Sequence, residues 1–176
     1  MEFNNPSIDA ASLPKVEDVH LQPIEPSYWK VLQLEWLITA VIFLAIGGSA
    51  IFFIKAIQLP LVITIASGVW LLVSAVSYWL IHQSFKRKAY ALREKDALYR
   101  TGWIVRYLQV CPYNRIQHCS IHAGPLERRF GLASISLYTA GSEGSDLRIP
   151  GLTEASAASI REFIMQKVRA DEDAAG

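Results

Sequence analysis

Apolar and polar positions divide the chain into two long uncharged runs and a C-terminal half of short apolar stretches. The first run covers residues 37–54 and the second covers residues 59–81, and neither contains a charged side chain. An α-helix rises about 1.5 Å per residue, so roughly 20 apolar residues cross a hydrocarbon core of about 30 Å. The pattern therefore predicts a transmembrane helical hairpin at 28–85, with spans at about 36–54 and 60–81.

A pair of core helices in a soluble protein is the alternative interpretation of these runs. It is less favoured, because such helices carry a polar face and these runs have almost none. A cleaved signal peptide is not indicated either, since the first run follows mildly acidic sequence without a basic leader. Neither span contains an acidic, basic or histidine side chain, which argues against a transporter or a proton path.

Basic residues are distributed unequally on the two sides of this hairpin. Lys55 is the only basic residue between the spans, whereas five Lys and Arg residues lie within residues 86–95. Loops rich in Lys and Arg stay on the cytoplasmic side of a membrane, so both termini are predicted to be cytoplasmic. Aromatic residues near the same ends of the spans are predicted to form one interfacial belt: Tyr28, Trp29, Trp36, Tyr78 and Trp79.

The two ends of the chain differ in composition from the hairpin. Residues 1–27 contain four prolines, which predicts a flexible N-terminal tail, with a helix beginning near Ser27. Alternation within residues 15–24 leaves a short added strand as the other interpretation. Residues 171–176 form an acidic tail.

Short apolar stretches separated by turn residues follow the basic run and predict an antiparallel sheet. Pro125 at a first helical position and Gly131 just past a helix end predict one short helix at 125–130. Thr153 is suited to cap a final helix. The predicted strands are 89–93, 97–100, 103–110, 116–122, 133–140 and 147–149.

The final helix has apolar residues at three- and four-residue steps, which predicts a single buried stripe. The stripe consists of Ala157, Ile160, Phe163, Ile164 and Val168. The predicted fold class is therefore α+β, with a cytoplasmic domain at 86–170 in which a C-terminal helix packs on an antiparallel sheet. Phe163 is expected to lie against the longest strand, with Trp103, Ile104, Val105 and Leu108 buried beside it.

Composition adds constraints on chemistry. The chain is 52% hydrophobic with a mean hydropathy of +0.24, and its net charge of +1 gives no indication of nucleic-acid binding. Two cysteines without a C-x-x-C pair are too few for a disulfide scaffold or a zinc motif. Thiols in a reducing compartment are the expected state.

The stretch RIQHCSIH, residues 115–122, raises the question of a metal site or a nucleophile. On a helix, His118 and His122 would share a face as zinc ligands do, but the β-branched residues favour a strand. On a strand, His118, Ser120 and His122 share one solvated face and Cys119 points inward. No further ligand cluster, nucleophile elbow or placed acid accompanies them. The sequence therefore predicts no catalytic residue, no metal and no cofactor.

Several motifs in the second half resemble a known family. They read LYRTG at 98–102, PYNRIQ at 112–117, GPLERRFGLA at 124–133, LYTAG at 137–141 and IPGL at 149–152. With two preceding transmembrane helices, they are similar to the bacterial pleckstrin-homology-like membrane proteins, the YdbS-like group. The resemblance runs from about residue 26 to residue 168. It implies a PH-like β-sandwich or barrel of about seven strands capped by the C-terminal helix, in a multi-pass protein of the bacterial cytoplasmic membrane.

Fold alone does not supply a function. The first hypothesis is a non-catalytic membrane-anchored module that contacts another membrane protein or a second copy of itself, for example by strand addition at a sheet edge. The alternative is a sensor of anionic lipids. Membrane lipids are expected partners; nucleic acid and small-molecule substrates are not. Candidate contact or lipid-facing residues are Lys86, Arg87, Lys88, Arg115, Arg128 and Arg129.

Overall fold

Two long helices and two antiparallel sheets make up the computed structural model, which describes residues 19–53, 60–139 and 145–175, with side chains to residue 170. The elements in chain order are β1 (Gln22–Pro23), α1 (Tyr28–Phe53), α2 (Pro60–Phe85), β2 (Ala89–Leu92), β3 (Asp96–Thr101), β4 (Tyr107–Pro112), a 3-10 turn (Tyr113–Arg115), β5 (Ile116–His122), α3 (Pro125–Arg129), β6 (Leu132–Thr139), β7 (Leu147–Thr153) and α4 (Glu154–Ala175).

Helices α1 and α2 are long and apolar enough to cross a membrane. Each has 26 residues, their most apolar windows have mean hydropathies of 2.2 and 2.0, and no part of either window is buried. The absence of burial in these windows removes the soluble-core interpretation. Helix α1 begins one residue after Ser27, as predicted.

Both helices extend past the predicted spans toward the domain, and their side chains meet there. Trp36 Nε1 donates to Ser77 Oγ at 2.9 Å, and Gln33 Nε2 donates to the Tyr78 hydroxyl at 2.9 Å. The Trp29 ring packs edge-on against His82, with centroids 4.7 Å apart. These contacts hold the helix pair together where it enters the domain. The end of the domain at which α1 begins and α2 ends is called the helix-proximal end below.

The domain consists of two sheets and a helix. The first sheet has the order β1-β2-β3-β4 and the second has the order β5-β6-β7, with every described pairing antiparallel. Helix α4 packs on β5, β6 and β7. Antiparallel sheets packed against a C-terminal helix confirm the predicted α+β class.

Alternation along the strands places one face of the first sheet in the core. Tyr99 and Ala97 face inward with Tyr90 and Cys111; the side chains between them point to the opposite face, where Leu98, Ala89 and Ala91 are nevertheless buried. The stripe on α4 is confirmed, since Ala157, Ile160, Ile164 and Val168 are buried, although Phe163 is only half-buried.

The start of α1 is part of the domain core. Val31 is fully buried, Tyr28 is nearly so, and Ile24 just before the helix is also buried. Glu25 N donates to Gly151 O at 2.9 Å. Gly151 has φ +66, and an added Cβ there would lie 2.6 Å from Tyr28 Cγ, so this position requires glycine. A fragment limited to 86–176 would therefore lack three core residues.

The N-terminal tail has two predicted interpretations, and part of it is described. Residues 22–23 form a two-residue strand that pairs with β2, which is the added strand rather than a free tail. Residues 1–18 lie outside the described residues. The bounds of the acidic tail at 171–176 stay a prediction, since its side chains are likewise outside.

The strand predicted at 103–110 begins four residues later than expected. Gly102 has φ +88, and an added Cβ would fall on the carbonyl oxygen of Val105, so the chain turns tightly here and β4 starts at Tyr107. The expectation that this segment is buried was wrong: Ile104 is 72% exposed, and Val105 and Leu108 are exposed as well. Trp103 packs against Trp79 of α2 instead of Phe163.

Candidate functional site

A cavity of about 650 Å³ lies at the helix-proximal end of the domain. One wall comes from the first two turns of α1 and the other from the end of β5, α3 and β7. The residues around it are Tyr28, Glu35, His122, Ala123, Gly124, Pro125, Leu126, Glu127 and Arg148. Because Glu35 lies just before the apolar run that begins at residue 37, the cavity sits at the boundary between the helix pair and the domain.

Glu127 organises one wall of the cavity. Its carboxylate accepts from Gly124 N at 2.9 Å and from Ser134 Oγ at 2.7 Å. The first of these bonds is the reciprocal half of a capping box, in which the third helical residue reaches back to the start of the helix. Arg148 Nη2 lies 3.4 Å from Ser134 Oγ. The buried carboxylate therefore accepts hydrogen bonds from the N-cap of α3 and from β6, and Ser134 in turn accepts one from Arg148 of β7.

Two cations stand beside this cavity. Lys88 Nζ lies 5.4 Å from the centroid of the Tyr28 ring, within cation–π range. Burial lowers the pKa of Lys88; Glu35 acts to raise it and Arg148 to lower it. The boundary therefore carries Lys88 and Arg148 next to Glu35 and Glu127. Lysine and guanidinium groups in such a position are suited to hold a phosphate or carboxylate.

The structure brings five of the six candidate contact residues to the helix-proximal end. Lys86 and the half-buried Arg87 and Lys88 follow α2 directly, and Arg128 and Arg129 are exposed on α3, which packs against α1. Arg115 does not join them. It precedes β5, and seven strand residues at about 3.3 Å each place it roughly 20 Å from α3.

Glu127, Arg148 and Glu35 were missed at the level of sequence, and Tyr28, which was predicted in the interfacial belt, is buried in the domain core. Gly-Pro-Leu-Glu at 124–127 contained the signal for Glu127, since a glutamate three residues after an N-cap predicts a capping box. No local pattern links Arg148 or Glu35 to it, because they come from separate elements.

The histidine stretch forms a strand, as predicted. His118 and His122 are exposed on β5, and Cys119 is half-buried against the core. His118 stacks on Tyr138 with ring centroids 4.3 Å apart. In the part of the chain that the structure describes, no group of three His, Cys, Asp or Glu side chains is arranged to hold a metal.

Two side chains of this strand form a pair: Ser120 Oγ and His122 Nε2 are 2.8 Å apart. The pair arises because alternate residues of a strand point to the same face. Glu127, an acid of the adjoining cavity, already accepts hydrogen bonds from Gly124 and Ser134.

The two thiols are in apolar surroundings. Cys111 is buried and Cys119 half-buried, and burial raises the pKa of each thiol to about 11. Because the thiolate is the reactive form, the raised pKa lowers the reactivity of both side chains at neutral pH.

Strand β4 provides a second candidate surface. Within the described residues it pairs with β3 on one side and with no strand on the other. Its outward-facing side chains are apolar: Leu108 is 40% exposed and Val110 is 47% exposed. Register pairing places Val110 next to Leu98, which is fully buried. The side of β4 that pairs with no described strand, together with Leu108 and Val110, is called the β4 edge.

These features define a class: an antiparallel sandwich with a C-terminal helix, joined to a pair of apolar helices. The Bacterial PH domain family matches residues 31–168, so the chain belongs to that family. It is similar to the UPF0699 transmembrane protein YdbS of Bacillus subtilis (strain 168), with 28% identity over 152 residues, which cover 85% of this chain and 94% of the relative. No solved structure matches. The chain is a transmembrane protein with a bacterial PH domain, as the motifs indicated.

Proposed function

We propose that this protein is a non-catalytic membrane-anchored module that presents its PH-like domain in the cytoplasm for contact with another protein or a second copy of itself. The β4 edge is the observation that carries the proposal. An edge strand exposes unpaired backbone N–H and C=O groups, which form hydrogen bonds with an incoming strand.

The side chains of the β4 edge favour contact with a partner protein over exposure to water. Natural edge strands are usually protected by lysine, proline or a covering element. Leu108 and Val110 offer apolar surface beside that backbone. The Ser120–His122 pair supports no competing enzymatic proposal, since a serine nucleophile also needs an oriented base and donors for the oxyanion.

A photo-crosslinking amino acid in place of Val110 is expected to capture a protein in the native membrane. A product near twice 19.7 kDa identifies a second copy, and any other mass identifies a different protein. Val110→Lys is expected to abolish copurification of the captured species, because a charge on the edge opposes strand addition.

Asn114→Lys is the matched control for this charge. Asn114 is exposed in the 3-10 turn just after β4, so the variant adds the same charge outside the edge and should keep the partner. Crosslinks from position 110 to lipid alone, or equal capture by Val110→Lys and wild type, would contradict the proposal.

Recognition of an anionic lipid headgroup is the second candidate function. The cavity supports it, since Lys88 and Arg148 adjoin it and Arg128 and Arg129 lie on the same helix-proximal end. Each basic group near an anionic surface contributes about 1 kcal/mol. In this proposal the charges act together on one headgroup or on the leaflet surface.

Arg128→Glu combined with Arg129→Glu is expected to weaken retention of phosphatidylglycerol by tenfold or more. The reason is that two contributions of about 1 kcal/mol are lost and two repulsive charges are added. Native mass spectrometry of the full-length protein, with phosphatidylcholine as the neutral comparison, measures the retained lipid. His118→Ala with His122→Ala should retain lipid and partner as wild type does. Equal retention of phosphatidylglycerol by the charge-reversed variant and wild type would exclude these arginines from lipid binding. Loss of the protein's biological activity in the histidine variant, with lipid and partner retained, would reopen metal or catalytic chemistry.

A further inference from the structure

The path of the chain returns the loop between β3 and β4 to the level of the helices. Helix α2 ends at Phe85 and β2 begins at Ala89, so the start of β2 lies at the helix-proximal end. Strand β3 runs antiparallel to β2, and Arg100 near its end pairs with Ala89. Residues 102–106, called the β3–β4 loop, therefore leave the sheet toward the membrane.

This loop exposes apolar side chains that the domain core does not use. Ile104 is 72% exposed and Val105 is 56% exposed, directly after Trp103. Single exposed apolar residues are ordinary on a protein surface, but consecutive ones at a loop tip form a patch that indicates a contact. Arg100 and Arg106 flank the patch and are also exposed.

A contact between two tryptophans places the loop beside α2. The Trp103 ring lies edge-on to Trp79, with centroids 4.8 Å apart and an interplanar angle of 78°. Trp79 precedes the end of α2 by six residues, which is about 9 Å along the helix axis. It also lies within the uncharged run at 59–81. Trp103 thus reaches the depth at which the transmembrane helix is still apolar.

From these observations we propose that the β3–β4 loop is a third membrane contact, inserting Trp103, Ile104 and Val105 into the leaflet beside α2. Tryptophan concentrates at the boundary between headgroups and acyl chains, and the neighbouring arginines match the phosphate level. The occupant is lipid because the patch is continuous with the lipid-facing side of α2, where Trp79 is itself 47% exposed.

Insertion of the loop has a consequence for the geometry of the domain. Helices α1 and α2 enter the domain together, and the loop adds an attachment on the side of the first sheet. An attachment beside the helix pair restricts how far the domain can tilt relative to the membrane. The β4 edge, which begins where the loop ends, is then presented at a defined height.

An environment-sensitive fluorophore on Ile104→Cys tests the insertion in full-length protein reconstituted into phosphatidylcholine–phosphatidylglycerol vesicles. The expected result is blue-shifted emission that is lost on adding lipids with a shallow nitroxide quencher and resists aqueous iodide. Glu94→Cys is the matched control, because Glu94 is exposed on the turn between β2 and β3 at the opposite end of the sheet. Its emission should be quenched by iodide and not by the nitroxide lipid.

A charge in the loop provides the second measurement. With the fluorophore moved to Val105→Cys, the added change Ile104→Glu should expel the loop, so that iodide quenches the emission, while the melting temperature stays unchanged because both side chains are exposed. Iodide quenching at position 104 equal to that at position 94 would overturn the proposal. So would a photo-crosslinker at Ile104 that attaches to a protein instead of lipid.

Discussion

Ile164→Ala is expected to lower the free energy of unfolding of the full-length protein by about 2–5 kcal/mol. Ile164 is fully buried in the stripe by which α4 packs on the second sheet, so truncation removes apolar contacts and leaves a cavity. For a chain of this size each kcal/mol shifts the melting temperature by about 2–4 °C. Thermal melting of detergent-solubilised protein should show a decrease of roughly 4–20 °C on this basis.

Two neighbours of Ile164 are its controls. Glu162→Ala changes an exposed position of the same helix and should stay within about 0.5 kcal/mol of wild type. Phe163→Ala should cost less than Ile164→Ala, because the ring is half-buried and lies 6.1 Å from Tyr113 between centroids. Equal melting temperatures for Ile164→Ala and wild type would remove α4 from the core.

A cysteine at Gln58 is expected to react with a membrane-impermeant thiol reagent in intact cells, and a cysteine at Ala174 is expected to remain unlabelled. The prediction rests on Lys55 alone between the spans against five Lys and Arg within residues 86–95. Gln58 lies outside the described residues, and in the sequence it falls between the two spans. The effect is all-or-none, because the reagent does not cross the bilayer.

The native thiols of Cys111 and Cys119 set the background of this labelling experiment. Burial raises the pKa of Cys111 and of Cys119 to about 11, so their thiolate fractions at pH 7 are small and rise with pH. Permeabilised cells should label Ala174→Cys. Labelling of Ala174→Cys but not Gln58→Cys in intact cells would reverse the orientation.

Elements that depend on local pattern were predicted from the sequence. The two apolar helices are evident because an uncharged stretch of roughly the length needed to cross the hydrocarbon core has no polar face for water to contact. Strand β5 was correctly distinguished from a helix by its β-branched residues, and the α4 stripe by its periodicity. Pro125 and Gly131 bounded α3 because their backbone preferences are local.

In the segment 103–110, the apolar sequence pattern did not predict the structure correctly. Aromatic and β-branched residues there satisfy the composition of a buried strand, yet the first of them form an exposed loop. Apolarity records only that a side chain avoids water, and a protein core and a bilayer both provide that. The Trp79–Trp103 contact, between residues 24 positions apart, places Trp103 beside α2 and not in the domain core.

The sequence by itself determined the spans, the class of fold, the family and the order of the elements, because each depends on neighbouring residues or on motifs read along the chain. Tertiary structure decided that Tyr28 and Val31 complete the domain core, that Arg148 reaches Ser134, and that Arg115 stands apart from Arg128. These are relations between distant segments. They depend on sheet register and on where the helices meet the domain, and no local preference encodes either one.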